Sequence, residues 1–319
     1  MKINRLRFKA VVLLFILIFI LIVHEIFINV DDPEELFYPR LQTTLCGFAK
    51  NDKNQVKCIK SGQTVSIGED AAFFNQKAII IADGVGSWAG MGVDPSHYSY
   101  EIVKYIDENM QFYNPEKETL REELAGSYTH ITNLAVPGSS TLIYVKLDDS
   151  NNLKVLNLGD GQAAVVRKGK IVYKSTPQQY SFNFPYQLSA GTPFDDEEVS
   201  TPNDAELTSF RLKRHDLVIT GSDGVWDNID EEELAIMTKV FMKEAIKGPS
   251  RIPLGQITDK DCVDITSDIL RYIRVRALDK KFCSPFCKRA NLAFKSKEIM
   301  FSWEGGKLDD TTLAITRVL

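Results

Sequence analysis

Five short stretches set an aspartate where a hard cation would need an oxygen ligand. They are Gly68-Glu69-Asp70, Ala82-Asp83-Gly84-Val85-Gly86, Asn157-Leu158-Gly159-Asp160-Gly161, Ser222-Asp223-Gly224-Val225-Trp226-Asp227 and Asp309-Asp310-Thr311-Thr312. Mg²⁺ and similar ions bind carboxylates and waters in a rigid octahedral arrangement. Carboxylates crowded together without such ions repel one another and are driven toward protonation. A lone Asp-Gly after a strand is usually just a turn, because Gly tolerates positive φ and Asp bonds its own backbone. Asp309-Asp310 reads equally well as the polar lead-in to a strand. Five such stretches in one chain point instead to a two-metal hydrolase.

Strands must fix these side chains. Runs rich in apolar and β-branched residues lead into three of the stretches, at Lys77–Ala82, Leu153–Leu158 and Leu217–Ser222, and Leu313–Val318 follows the last. Thr43–Ala49 and Gln55–Lys60 read as paired strands around a turn-rich gap, and Ala71–Phe74 pairs with Ala78–Ala82 around Asn75-Gln76. Ser140–Leu147, Leu153–Leu158, Gln162–Arg167 and Lys170–Lys174 form a run of strands joined by tight turns. Leu207–Leu212, Leu217–Ser222 and Thr311–Val318 complete the strand set. Helices are expected over Ser96–Met110, Pro115–Leu134, Asp261–Leu278 and from Ile229-Asp230 through Lys243. Thr176–Asp204 has little periodicity and reads as a long functional loop, and Lys247–Lys260 is a second region where specificity could reside. Grouped helices with many antiparallel-type strands make an α+β layered domain.

The order and content of the five stretches resemble the metal-dependent protein phosphatases of the protein phosphatase 2C (PPM) family. The resemblance covers Thr43 to the C-terminus and is strongest toward the mitochondrial branch of fungi and animals. Beyond the aspartates it rests on Asp83-Gly84-Val85-Gly86-Ser87-Trp88, Gly92-Val93-Asp94-Pro95-Ser96 and Pro137-Gly138-Ser139-Ser140-Thr141. Phe182-Asn183-Phe184-Pro185-Tyr186-Gln187-Leu188 and Ser222-Asp223-Gly224-Val225-Trp226-Asp227-Asn228 extend it.

The resemblance implies two central antiparallel β-sheets flanked by helices, and two Mg²⁺ or Mn²⁺ ions. Asp83 would bridge the ions, with the Gly84 carbonyl as a further ligand. Asp223 and Asp309 would hold the first ion, Asp70 would order water on the second, and Glu69 would act just outside them. Asp160 matches the aspartate of a third, weaker metal site. Water activated by the metal pair would attack phosphoserine or phosphothreonine of a protein substrate directly. Two positions depart from the family pattern. Val85 stands where many members carry a histidine that protonates the leaving group, with His97 the nearest substitute in sequence. Val65 stands where many carry an arginine that grips the phosphate. Those departures keep open an alternative, a catalytically weak or inactive pseudophosphatase that binds phosphoproteins.

Composition narrows the field further. Residues 1–30 hold four of the 38 basic and one of the 43 acidic residues, so the remainder stands at −8. Such a balance argues against nucleic acid as partner, and a metallonuclease would need a basic groove. The five cysteines form no zinc signature and are expected to be buried or free thiols, although a lumenal location would permit a bridge. Cys283 to Arg289 formally matches a Cys-x5-Arg phosphatase loop. It lacks glycine and contains Pro285, so it cannot curl its N–H groups around a phosphate; a basic surface stretch is the better reading.

Ala10 to Val23 is an unbroken apolar run preceded by Lys2, Arg5, Arg7 and Lys9. Extended to Phe8–Ile28 it reaches the roughly 20 residues of a membrane span, and no small-x-small cleavage site follows. The expected organisation is a single-pass anchor over 1–30, a tether over 31–42 and one catalytic domain over 43–319. The positive flank would stay on the cytosolic or matrix side, placing the domain in a lumen or the intermembrane space.

Overall fold

The computed structural model describes residues 39–52, 55–110, 120–190, 200–238 and 258–319. The expected membrane anchor, and the tether as far as residue 38, lie outside the described residues. Among the described residues no helix is long and apolar enough to cross a membrane. Residues 39–319 form one compact unit.

Two six-stranded sheets build the centre. Sheet I runs in the order Lys170–Lys174, Gln162–Arg167, Leu217–Gly221, Thr311–Val318, Leu41–Phe48, Lys57–Cys58. Sheet II runs Glu206–Arg211, Asn152–Leu158, Leu142–Leu147, Ala78–Asp83, Asp70–Phe74, Val65–Ile67. Every neighbouring pair is antiparallel. The family resemblance implied this arrangement. Leu41 and Gln42 belong to the sheet rather than to the tether, because they pair with Val318 and Arg317.

A strand covered on both faces loses the apolar–polar alternation of a half-exposed one. Ile79, Ile80 and Ile81 show this, all three buried. Each contributes about 1.5–3 kcal/mol by leaving water. Ile80 faces a core shared with Tyr98, Ile102 and Ile106 of the helix Pro95–Asn109 and Leu124 and Ile131 of the helix Leu120–Leu134. Asp94 caps the first of these helices by accepting the Ser96 N–H at 3.0 Å, with Pro95 at its first position. Sheet I has its own helical cover, Ile269, Leu270 and Ile273 of Asp259–Leu278 and Leu234 of the helical stretch 231–238. The two sheets meet face to face. A Cβ on Gly47 of sheet I would come within 2.9 Å of Ile67 of sheet II.

Three expectations change. Residues 176–204 carry short strands at Gln179–Ser181, Phe184–Pro185 and Leu188–Ala190, the last paired with Gly138–Ser140. Cys46 is bridged to Cys58 and Cys283 to Cys287, leaving Cys262 free. The first bridge follows from register, since Cys46 and Cys58 are direct partners on adjacent strands. The Cys283–Arg289 stretch is not simple surface, because Pro285–Ser296 is a helix capped by Ser284, with Phe286, Cys287 and Ala290 buried. Its basic residues turn outward, Lys288 to Asp230 and Arg289 to Asp227.

Candidate active site

Strand pairing brings the motifs to one end of the two-sheet stack. Asp70 and Asp83 are direct partners across their antiparallel strands. Gly221, just before Asp223, pairs with both Leu313 and Gln162, so the chain around Asp223, Asp309 and Asp160 is gathered by the same three strands. Asp310 ties these segments together. Its Oδ1 accepts the Lys50 N–H at 2.7 Å and its Oδ2 the Glu69 N–H at 2.9 Å. Two glycines make room for it. Gly68 has φ of +66°, and a Cβ there would lie 2.2 Å from the Asp310 carboxylate. A Cβ on Gly224 would lie 2.1 Å from the Asp310 carbonyl oxygen. Asp70 is buttressed in turn, its Oδ2 accepting the Thr312 hydroxyl at 2.6 Å.

These elements enclose a cavity of about 380 Å³. Glu69, Asp83, Asp160, Asp223 and Asp309 supply its acidic lining, Lys50 and Lys307 its cationic lining, and Phe184 and Pro185 an apolar wall. The Lys307 ammonium donates to Asp223 Oδ2 at 2.6 Å and Asp227 Oδ2 at 2.9 Å, and lies 3.2 Å from Asp309 Oδ2. Asn228 fixes the Lys307 main chain, accepting its N–H at 2.9 Å and donating to its carbonyl at 2.7 Å. On the other side Lys50 Nζ pairs with Glu69 Oε2 at 2.6 Å.

The charges are unbalanced. Burial, reinforced by the Asp310 charge, raises the Asp70 carboxyl well above its ordinary range, and burial with Asp70 and Asp223 does the same to Asp83. Asp160 is pushed up to about 7 by burial and the Asp223 charge, and Asp309 to about 6 by the same two causes. Asp223 behaves oppositely. Burial opposes its ionisation, but the Lys307 ammonium, together with hydrogen bonds from Asp83 and the Gly224 N–H, holds the carboxyl below its usual value. Burial likewise works against the Lys307 charge, and the carboxylates around it override burial and raise its pKa well above the ordinary value.

Five sequence-predicted residues, Asp83, Gly84, Asp160, Asp223 and Asp309, line the cavity. Asp70 stands behind it, fully buried, and Glu69 takes the lining position. Lys50, Lys307 and Asp227 went unread. Asp227 had a signal, lying one helical turn beyond Asp223, whose carbonyl accepts its N–H at 2.8 Å. His97 is exposed, 3.9 Å from Asp94, and is not among the lining residues. Val85 lines the cavity, whereas Val65 does not.

The donor set suits a hard cation. With the carboxylates ionised, Asp70 Oδ1 and Asp223 Oδ1 are buried without a donor, a costly condition that external positive charge relieves. Among the described residues no three acidic, histidine or cysteine side chains already form a finished coordination shell. The Lys307 ammonium occupies the space between Asp223 and Asp309, yet it engages one oxygen of each.

No protein-family model matches the chain. Over 287 residues it is 34% identical to the human protein phosphatase PTC7 homolog, a match covering 87% of each chain. It is 33% identical over 253 residues to probable protein phosphatase 2C 80 of Arabidopsis thaliana, covering 79% of this chain and 54% of that one. The chain thus spans about half the length of the plant relative. Among solved structures, the photosystem II phosphatase PBCP superposes with a TM-score of 0.65 at 22% identity, covering 88% of this chain and 99% of that one, a likeness of fold.

Proposed function

The chain belongs to the protein phosphatase 2C family, with the animal PTC7 homologues, and from that premise we propose that it hydrolyses phosphoserine and phosphothreonine in protein substrates. The observation that carries this reading is the convergence of Glu69, Asp83, Asp160, Asp223 and Asp309 on one cavity that holds two ammonium groups. Asp83, Asp223 and Asp309, with the Gly84 carbonyl, would hold two Mg²⁺ or Mn²⁺ ions, and Asp160 a third. When bound, such ions supply Lewis acidity toward water and phosphoryl oxygens.

The chain's own residues do the rest. Asp70, locked to Thr312, sets the spacing between the ends of the two sheets. Lys307 keeps Asp223 ionised and ready to ligate. Phe184 and Pro185 give the substrate an apolar wall and thin out water on that side. Val85 offers no proton donor, so the departing seryl or threonyl oxygen takes its proton from solvent in the cavity. Cysteine-based chemistry has no nucleophile here, since Cys283 and Cys287 are bridged and lie outside the lining.

Release of phosphate from a phosphothreonine peptide, with Mn²⁺, Mg²⁺ or EDTA, tests the proposal beside an Asp83→Asn, Asp223→Asn double variant. Metal-dependent release that vanishes in the variant supports it. A folded, metal-binding protein inactive on varied phosphopeptides would make the chain a phosphoprotein-binding pseudophosphatase instead. Attachment to an organelle membrane through residues 1–30 belongs to the same proposal and rests on the sequence alone. Alkaline carbonate extraction of the full chain checks it, and release into the supernatant would sink it.

A further inference from the structure

The two ammonium groups of the cavity are not equivalent. An ammonium has three N–H donors. Lys307 has three carboxylate oxygens within 2.6–3.2 Å of its Nζ, so its donors are spoken for. Lys50 has one close partner among the described residues, Glu69 Oε2 at 2.6 Å. Asp309 Oδ1 and Asp310 Oδ2 stand at 3.9 and 3.8 Å, beyond hydrogen-bond reach. Two N–H donors of Lys50 are therefore left for whatever enters the cavity.

Lys50 is also held in place. Its main chain is anchored by the 2.7 Å hydrogen bond to Asp310, and its head by Glu69. The Lys50–Glu69 pair lies against bare backbone. A Cβ on Gly86 would come within 2.7 Å of Glu69 Oε2 and 3.4 Å of Lys50 Nζ. With 28% of its side chain exposed, Lys50 opens to the same cavity as Asp83 and Asp309. A phosphoryl group bears nearly two negative charges and three strong acceptor oxygens. A fixed cation with spare donors, beside carboxylates that would hold the metals, matches that need.

We infer that Lys50 binds the phosphoryl group of the substrate, in partnership with the ions held by Asp83, Asp223 and Asp309. The inference rests on the phosphatase reading for its substrate but is tested apart from it. Binding of inorganic phosphate to the Mn²⁺-loaded full chain is measured by calorimetry for the wild type, Lys50→Met and Lys50→Arg. KM and kcat are read on a phosphothreonine peptide, and Mn²⁺ affinity by paramagnetic resonance. Lys50→Met should weaken phosphate binding by about 10-fold, the worth of one charge-assisted hydrogen-bond donor, and raise KM more than it lowers kcat. Mn²⁺ affinity should not fall, because the Lys50 charge 3.9 Å from Asp309 Oδ1 opposes a metal ion there rather than aiding it, and Lys50→Arg should recover most of the loss in phosphate binding.

Phosphate binding that ignores Lys50, or falls only in step with Mn²⁺ affinity, overturns the assignment and leaves Lys50 as a counter-ion to Glu69. So does a wild type that binds no phosphate. If Lys50→Met fails to fold, Lys50→Gln carries the same expectation. A wild type that binds phosphate through Lys50 yet cleaves no phosphopeptide keeps the assignment and removes the phosphatase reading.

Discussion

Asp309 and Asp310 are chain neighbours with opposite surroundings. Asp310 is buried, and its two oxygens accept N–H groups from Lys50 and Glu69. Asp309 lines the cavity, and burial beside Asp223 pushes its carboxyl up to about 6. One carboxylate is tied to two distant segments by their backbone N–H groups. The other, met by its neighbour's N–H at 3.0 Å and the Lys307 ammonium at 3.2 Å, still faces the cavity with its charge opposed by Asp223. The same division separates Asp227, held by Lys307 and Arg289, from Asp83 and Asp160. At this site, a carboxylate's role follows from who already occupies its oxygens.

Removing the carboxylates that line the cavity should therefore cost activity. Asp223→Asn and Asp309→Asn are each expected to lower Mn²⁺-dependent phosphopeptide hydrolysis by at least about 100-fold. In EDTA at neutral pH the unfolding midpoint of Asp309→Asn should match or exceed wild type, since its raised carboxyl is a buried like charge, whereas Asp223→Asn should lower it, since it takes away the charge that Lys307 stabilises. Asp310→Ala should act at the level of the fold. It strands two N–H groups and should cost roughly 3 kcal/mol in urea unfolding, metal or no metal. An Asp310→Ala protein as stable as wild type would erase the distinction.

Much of this contrast was legible in the sequence, and some of it was not. Four of the five motifs could be read because they adjoin an apolar run, and strand ends are where side chains converge on fixed backbone. Asp309 was set apart from Asp310 only through the family resemblance. Nothing local says which one faces the cavity; that depends on Lys50 and Glu69, more than 240 residues away. Lys307 was hidden for a related reason. A lysine between glycines and aspartates reads as solvated charge, and its burial follows from Asn228 clamping its main chain. The helix Pro285–Ser296 does carry its signal in Ser284-Pro285, a capping residue followed by proline at the first helical position. Neither cysteine spacing, 12 or 4, identifies a bridge until register and helix start are known.

The contrast also sets a pH dependence. Asp160 and Asp309, raised to about 7 and about 6, keep protons in the folded metal-free chain that the unfolded chain has released above its ordinary carboxylate range. The folded state then binds more protons, so stability falls as pH rises from about 4 through 7, and Asp70 and Asp83, raised by burial, act in the same direction. Asp223 acts in the opposite sense, because its depressed carboxyl adds stability above the ordinary range that is lost only as pH falls below it. Between pH 5 and 7.5 the raised carboxyls dominate, and urea unfolding in EDTA should show a loss of roughly 4 kcal/mol. Saturating Mn²⁺ should reverse the slope, since metal and protons compete for the same oxygens. A flat profile in EDTA would mean that these carboxylates are already satisfied.

The smallest effect expected is at His97. Its side chain is exposed, its nearest carboxylate is Asp94 at 3.9 Å, and it is absent from the cavity lining. The helix it sits in is capped by Asp94 through Ser96, not through the imidazole. His97→Ala should leave kcat/KM within about 2-fold and stability within about 0.5 kcal/mol, the range of surface substitutions. A 10-fold or larger fall in kcat for peptide, with a normal rate on a phosphate ester whose leaving group needs no proton, would show instead that His97 reaches the cavity in the substrate complex. General-acid catalysis would then have been recovered by a residue on the helix behind the metal loop, and the cavity seen here would be the open form of a site that closes on its substrate.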